Sequence, residues 1–334
     1  MPRAQEPVAV GVGDHVAVFS FGNVEMPNKK DETSPSKPPK TKVGDIIDER
    51  YKVTEILGQG GFATIFGAIR LEDGLEVVVK ALHNLAVKND SVAMERFKRE
   101  ARIAVSLDHP NIVHTLGFGR MEGDQLYLAM ERLRGPSLED ILNRGPMDPA
   151  EVGRLLSQLL KALAAAHREG IIHRDLKPTN ILYIEEALQP TLKVIDFGLA
   201  KVIEGTDPAL LQTLTATGTI VGTPGYLAPE VLHGSEVTTQ ADIYAAGIIG
   251  HELCLGEIAY KGGALERVHA QAKRNPTPPS SERVRNHPVY KIIERLMARE
   301  PERRYKDATV AAMELDRVGD VRLKARKPWW RVWS

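Results

Sequence analysis

The run His173-Arg-Asp175-Leu-Lys177-Pro-Thr-Asn180 gathers a carboxylate, an ammonium and an amide, and Asp196-Phe-Gly198 adds a second acid after the strand-like Thr191 to Ile195. Acids and an amide oxygen offered from separate loops suit magnesium, a hard cation that takes oxygen ligands and usually shares them with substrate phosphates. A carboxylate free of metal would orient an attacking hydroxyl. Upstream, Gly58-Gln-Gly60-Gly61-Phe62-Ala63 lies between a strand ending at Leu57 and another starting at Thr64, where glycines let the backbone approach a polyphosphate. Taken alone, that loop equally fits a tight hairpin, and because no helix follows it a dinucleotide-binding βα turn is disfavoured. Lys80 ends the strand-like VVVK, and Glu100 lies beside the apolar face of the next helix. A Lys80–Glu100 pair is the natural inference, with the ammonium held in place to grip phosphates.

The elements that must position these groups follow from periodicity. Tyr51 to Leu57, Thr64 to Leu71 and Leu75 to Ala81 read as three strands of an antiparallel meander joined by glycine-containing turns. Ser91 to Leu107 reads as a helix with Met94, Phe97, Ala101 and Ala104 on one face. Two more strands are expected near Ile112 to Phe118 and over Leu126 to Glu131. Asp148-Pro-Ala-Glu151 then supplies an N-cap, a first-turn proline and an N3 carboxylate for a long helix running to His167 and stopping at Gly170. Helical patterns dominate from there to about Val318, and no repeat at a fixed period is present. The expected class is α+β: a small antiparallel β-rich lobe with one key helix, followed by a larger, mainly helical lobe.

On these motifs the chain resembles the protein kinase family over roughly 51–315, with an N-lobe over 51–131 and a C-lobe over 135–315. The resemblance implies a bilobal fold, ATP as donor and Mg²⁺, for which Mn²⁺ is a substitute. It implies Lys80 as the lysine holding the α and β phosphates, Glu100 as its helix partner, Asp175 as the catalytic aspartate, and Asn180 and Asp196 as magnesium ligands. The nucleotide site would comprise Leu57, Gly58, Gln59, Gly60, Gly61, Phe62, Ala63, Thr64, Ile65, Val78 and Lys80, with Met130 at the back of the adenine pocket and Glu131 and Leu133 offering backbone groups. Gly222-Thr-Pro-Gly-Tyr-Leu-Ala-Pro-Glu230 matches the end of the activation segment, Asp242 the buried anchor of the ADIYAAGIIG helix, and Arg304 the arginine that pairs with Glu230. The chain departs from the family pattern at Ala63, usually glycine, and at Val78, usually alanine; neither change removes a ligand.

Lys177 and Thr223 match the members that act on serine or threonine of protein substrates, and a lysine beside the base can neutralise charge on the transferring phosphoryl. Arg174 before Asp175 implies a phosphate on the activation segment. Thr213, Thr215, Thr217 and Thr219 alternate there, and Arg174, Lys201 and Arg96 would receive it. Autophosphorylation is expected chiefly at Thr215 or Thr217, with Thr219 a further candidate and self-association the route for reaction in trans. The phrase RFKREARIAVSLDHPNIV is similar to bacterial members. A nucleotide-binding scaffold without catalysis is disfavoured by the intact set of functional residues, and a small-molecule phosphotransferase by the GTPGYLAPE segment.

Outside the domain, residues 1–24 contain VAVGVGDHVAVFSF, the pattern of a short hairpin, either packed on the main domain or standing as an arm. Residues 25–45 are rich in Lys, Pro, Ser and Thr and read as a flexible linker. The tail, 316–334, holds all three tryptophans, Trp329, Trp330 and Trp333, among Arg322, Lys324, Arg326, Lys327 and Arg331. Two readings stand: a peripheral membrane-interface contact, since Trp and basic groups favour headgroups, or packing back on the large lobe. Lys+Arg and Asp+Glu balance at 44 each, so no global field steers the chain to nucleic acid. The single cysteine, Cys254, lies in an apolar run, excluding an internal disulfide and reading as inert packing. With no long apolar span and no secretory leader pattern, a cytoplasmic protein is expected.

Overall fold

Alternation along the first strands builds a sheet with two different faces. The computed structural model describes residues 41–60, 63–83, 91–121, 125–185, 189–197 and 224–325, with backbone alone at 91–94, 96, 100 and 320–325. The short β1 (Ile46–Ile47) precedes β2 (Tyr51–Gln59), β3 (Ala63–Arg70) and β4 (Glu76–Leu82). Helix α1 (Ser91–Ser106) follows, then β5 (Thr115–Arg120) and β6 (Leu126–Glu131). The sheet is antiparallel throughout in the order β1-β2-β3-β4-β6-β5. The N-terminal edge begins earlier than the sequence suggests: Gly44 N–H donates to Val53 O and Val53 N–H to Asp45 O, both at 2.9 Å, so the end of the stretch read as linker is hydrogen-bonded to β2.

In β4 every residue after Glu76 is buried, because both faces of the strand are covered. Val77, Val79 and Ala81 join Tyr51, Val53, Phe66 and Tyr127 on one side. Val78 and Leu82 join Ile65, Met130 and the α1 residues Phe97 and Ala101 on the other. Period-two geometry therefore sends Lys80, between Val78 and Leu82, to the α1 side.

After a short helix α2 (Leu138–Leu142), the C-lobe is organised by α3 (Pro149–Arg168), whose N-cap Asp148 accepts a hydrogen bond from Ala150 N–H. The chain leaves α3 through Gly170 at φ +76°, a left-handed position that suits glycine. Strands β7 (Ile181–Ile184) and β8 (Thr191–Val194) form a two-stranded sheet at the lobe junction. The α-helices that follow among the described residues are α4 (Pro229–Leu232), α5 (Thr239–Leu255), α6 (Ala264–Lys273), α7 (Glu282–Arg285), α8 (Pro288–Leu296) and α9 (Ala308–Ala325).

Helix α5 is buried on all sides from Asp242 to Cys254, which explains why its apolar residues are not confined to one face. Gly250 lets Leu156 of α3 and Ile293 of α8 approach: a Cβ there would sit 2.5 Å from Leu156 Cδ1. Burial lifts the Cys254 thiol to about 12, so it stays protonated and packs as a small apolar group.

Candidate active site

The loop carrying Asp175 is fixed from below by one carboxylate. Asp242, at the start of α5 and only 2 % exposed, accepts from His173 N–H (2.8 Å) and Arg174 N–H (3.1 Å) and bonds His167 Nε2 at the end of α3 (2.8 Å). Three donors around a buried carboxylate compensate its desolvation and hold the loop in a conformation it would not otherwise choose. Arg174 sits at φ +64° and Asp196 at φ +65°, both non-glycine residues in the left-handed region, at the two positions where the chain turns functional groups into the cleft. His173 is fully buried against the Phe197 ring, with centroids 4.9 Å apart, and burial lowers its affinity for a proton.

Asp175 and Lys177 face each other, Lys177 Nζ lying 3.2 Å from Asp175 Oδ2. Asn180 donates from Nδ2 to Asp175 O at 2.9 Å and accepts Ile195 N–H on its own backbone carbonyl at 2.9 Å. The amide thus commits its NH₂ end to the loop, and its oxygen is the end left for a cation. Backbone bonds from Val113 N–H to Val194 O and from Val194 N–H to Asn111 O, each 2.9 Å, hold β8 and hence Asp196 at the lobe junction.

Across the cleft, Lys80 Nζ donates to Asp196 Oδ1. Burial alone would push the Asp196 carboxyl up; the Lys80 ammonium and its hydrogen bond outweigh that and hold it below the ordinary carboxylate range. The pair expected from sequence was Lys80–Glu100. The partner of Lys80 among the described residues is Asp196, reached across the chain fold; the Glu100 side chain lies outside the described residues.

An apolar slot lies beside this pair. Leu57, Ile65, Val78 and Met130 from the sheet, Leu133 after it, and Leu182 and Ile195 from the C-lobe belong to one packed cluster. Gly58 pairs with Ile65 and Gln59 with Thr64, and Gly60 N–H donates to Ala63 O at 2.9 Å, so the glycine loop does span two antiparallel strands. Ala63 and Ile65 face the slot. Thr64 points to the opposite face, its hydroxyl 2.6 Å from His83 Nε2, which leaves only its backbone for a ligand. Leu182 and Lys193 were not singled out in the sequence. The strand alternation after Asn180, Ile181 into the C-lobe core and Leu182 into the slot, carries the signal for the first. The second emerges only in space: Glu131 Oε1 accepts from His114 N–H and from Lys193 Nζ, both at 2.8 Å, tying the connection between the lobes to the strand that leads to Asp196.

Below the cleft, Arg304 (2 % exposed) grips Glu230 with two parallel bonds of 2.7 Å and also donates to Ala298 O, Gln240 O and Arg299 O. Tyr226 OH donates to Glu252 Oε2 at 2.8 Å, Ala259 N–H donates to Glu252 Oε1 at 2.8 Å, and Gln271 Nε2 donates to Gly225 O at 2.8 Å. The segment around Gly225-Tyr226 is therefore bolted to α5 and α6.

Compared with known families, residues 51–315 match the model of the protein kinase domain. The chain belongs to the protein kinase family. It is 36% identical over 259 residues to the serine/threonine-protein kinase pkn3 of Myxococcus xanthus, covering 77% of this chain and 47% of that protein. It is 37% identical over 284 residues to PrkC of Bacillus subtilis, covering 82% and 41%, and 33% identical over 278 residues to PknB of Mycobacterium tuberculosis, covering 81% and 43%. The chain thus spans less than half the length of these relatives. Among solved structures, Rad53 1–466 in complex with AMP-PNP superposes with a TM-score of 0.64 at 26% identity, over 79% of this chain and 64% of that one.

Of the residues singled out in the sequence, this kinase fold brings Lys80, Asp175, Lys177, Asn180 and Asp196 together beside the slot formed by Leu57, Val78, Met130 and Leu133. Gly61, Phe62, Lys201, Thr213, Thr215, Thr217, Thr219 and Thr223, the N-terminal hairpin and the three tryptophans lie outside the described residues, as do the side chains of Arg96 and Glu100. No described helix is long and apolar enough to cross a membrane.

Proposed function

We propose that this chain transfers the γ-phosphoryl group of ATP to serine and threonine hydroxyls of protein substrates. The observation that carries the reading is the Lys80–Asp196 pair, which joins a cation suited to phosphates and an ionised metal-type ligand across one cleft, with Asp175, Lys177 and Asn180 beside them. The apolar slot takes the adenine, with the backbone at Glu131 and Leu133 as its polar edge. Glycine-loop amides and Lys80 hold the phosphates.

The donor set fits magnesium. Asp196 and Asn180 offer hard oxygens. Among the described residues no three His, Cys, Asp or Glu side chains form a protein-only cage, and this ion ordinarily takes one or two carboxylates and completes its shell from phosphate and water. When bound it supplies charge neutralisation on the phosphates; manganese is the natural substitute. The protein's own part is positioning. Asp175 accepts the hydrogen bond of the incoming hydroxyl and orients its oxygen toward phosphorus. Lys177, already 3.2 Å from that carboxylate, offsets charge on the moving phosphoryl. The low affinity of Asp196 for a proton keeps it anionic through the neutral range.

Activation by autophosphorylation at Thr215 or Thr217, with Thr219 as a further acceptor, is part of the reading, as is transient self-association to carry it out in trans. Arg174 supports it, since its buried Nε has no hydrogen-bond partner among the described residues, a deficit that a phosphate oxygen would meet. Glu100 as the partner of Lys80 in the nucleotide-bound state, Arg96 and Lys201 as further phosphate donors, and a cytoplasmic location complete the proposal. The test is γ-labelled ATP with a protein acceptor, wild type against Asp175→Asn. A scaffold labels nothing and a small-molecule phosphotransferase leaves protein unlabelled.

A further inference from the structure

A second cavity, remote from the cleft above, opens where α3 begins and α5 ends. Its volume is about 680 Å³, within the range of sites that enclose a sizeable ligand. Its walls include half-buried Met147, Leu255, Ile258 and Val284 with the buried rings of Pro149 and Pro279. These apolar side chains share the concave lining with Asp148, Glu257, Lys261, Arg274 and Arg283, so the cavity offers both apolar contact and hydrogen-bond partners.

The end of α9 indicates which partner is at hand. Asp316 bonds Ser157 Oγ (2.5 Å) and Lys161 Nζ (2.8 Å), so position 316 is level with the middle of α3. Gln240, at the start of α5, donates to Tyr305 O and Lys306 O just before α9, and neighbouring Asp242 binds His167 at the far end of α3. Helix α9 thus runs antiparallel to α3. With the same rise of about 1.5 Å per residue on both helices, Ala325 comes level with the first turn of α3, the turn that begins at the cavity-lining Pro149. Residues 326–334, beyond the described helix, can reach about 30 Å if extended. They carry Trp329, Trp330 and Trp333, the only tryptophans in the chain. Indoles combine a large apolar body with one N–H donor, which suits a lining that mixes apolar side chains with acceptors such as Asp148 and Glu257. We infer that this cavity is the docking site, within the same molecule, for residues 326–334, with the indoles as anchors.

Because every tryptophan lies in that segment, its fluorescence in the full-length chain, excited where tyrosine does not absorb, reads the segment alone. The docked state gives blue-shifted emission and several-fold weaker acrylamide quenching than the free peptide 326–334. Ile258→Arg and Val284→Arg, both remote from the nucleotide cleft, shift emission to the peptide's value while circular dichroism and phosphoryl transfer stay unchanged; Ile258→Ser serves if either arginine variant unfolds. Met313→Arg, on the exposed outer face of α9, leaves the emission in place. The inference is overturned by solvent-like emission in the wild type, by a blue shift that survives the cavity variants, or by one that Met313→Arg abolishes. A shift that grows with protein concentration, or that appears only with phosphatidylserine/phosphatidylcholine vesicles, assigns the segment to a second copy or to a membrane and likewise overturns it.

Discussion

Glu252 couples the segment around Tyr226 to pH. Its carboxyl is buried at the end of α5, and burial raises it from the ordinary 4.5 to about 7, against the opposing hydrogen bonds from Ala259 N–H and Tyr226 OH. A carboxyl that holds its proton more tightly folded than unfolded adds stability that is fully present below the unfolded value and is lost as pH rises through the folded one. With those two values, linkage gives a loss of about 2.5 kcal/mol between pH 5 and pH 8. Glu252→Gln keeps the size and one acceptor oxygen but cannot ionise. Urea unfolding of both proteins at several pH values isolates the effect, since every other titrating group cancels in the difference. Wild-type stability minus variant stability should fall by about 2.5 kcal/mol from pH 5 to pH 8. A difference that is flat with pH, or that rises, would show Glu252 ionised throughout and refute the reasoning.

Arg304→Met leaves the Glu230 carboxylate and three backbone carbonyls without their buried donor, so thermal unfolding should show a loss of about 3–5 kcal/mol; a loss under about 1 kcal/mol would mean the site collapses around the gap. Lys193→Met breaks the tie between Glu131 and β8. Initial-rate kinetics should show KM for ATP rising about tenfold with a smaller change in kcat, as for a lost positioning contact, and Lys193→Arg should restore most of it.

The gathering of the candidate site residues was legible because each sits in a short local motif: Asp175, Lys177 and Asn180 share one loop, and Asp196 follows one strand. Elements with clean periodicity were legible too. The long helix expected from Asp148 runs Pro149–Arg168, and three strands fall where alternation places them. What was hidden depends on long-range pairing. The expected strand near Ile112 begins at Thr115, because Ile112 and Val113 bridge to Val194 of the other lobe instead. Strand β6 inserts between β4 and β5, an order no local pattern encodes. For the same reason the bond from Lys80 to Asp196, which joins residues far apart in sequence, was not read from the helix and strand patterns. The grip of Asp242 on the loop was expected only through family resemblance; its three donors are a geometric fact that composition does not carry.

The most direct test of the central claim is transfer of label from γ-labelled ATP with Mg²⁺ to a protein acceptor, followed by phosphoamino-acid analysis. The wild type should label serine and threonine, and Asp175→Asn should slow that labelling by about 10²–10⁴-fold while still binding the nucleotide. Equal rates for the two proteins, or label confined to tyrosine or to small molecules, would contradict the account.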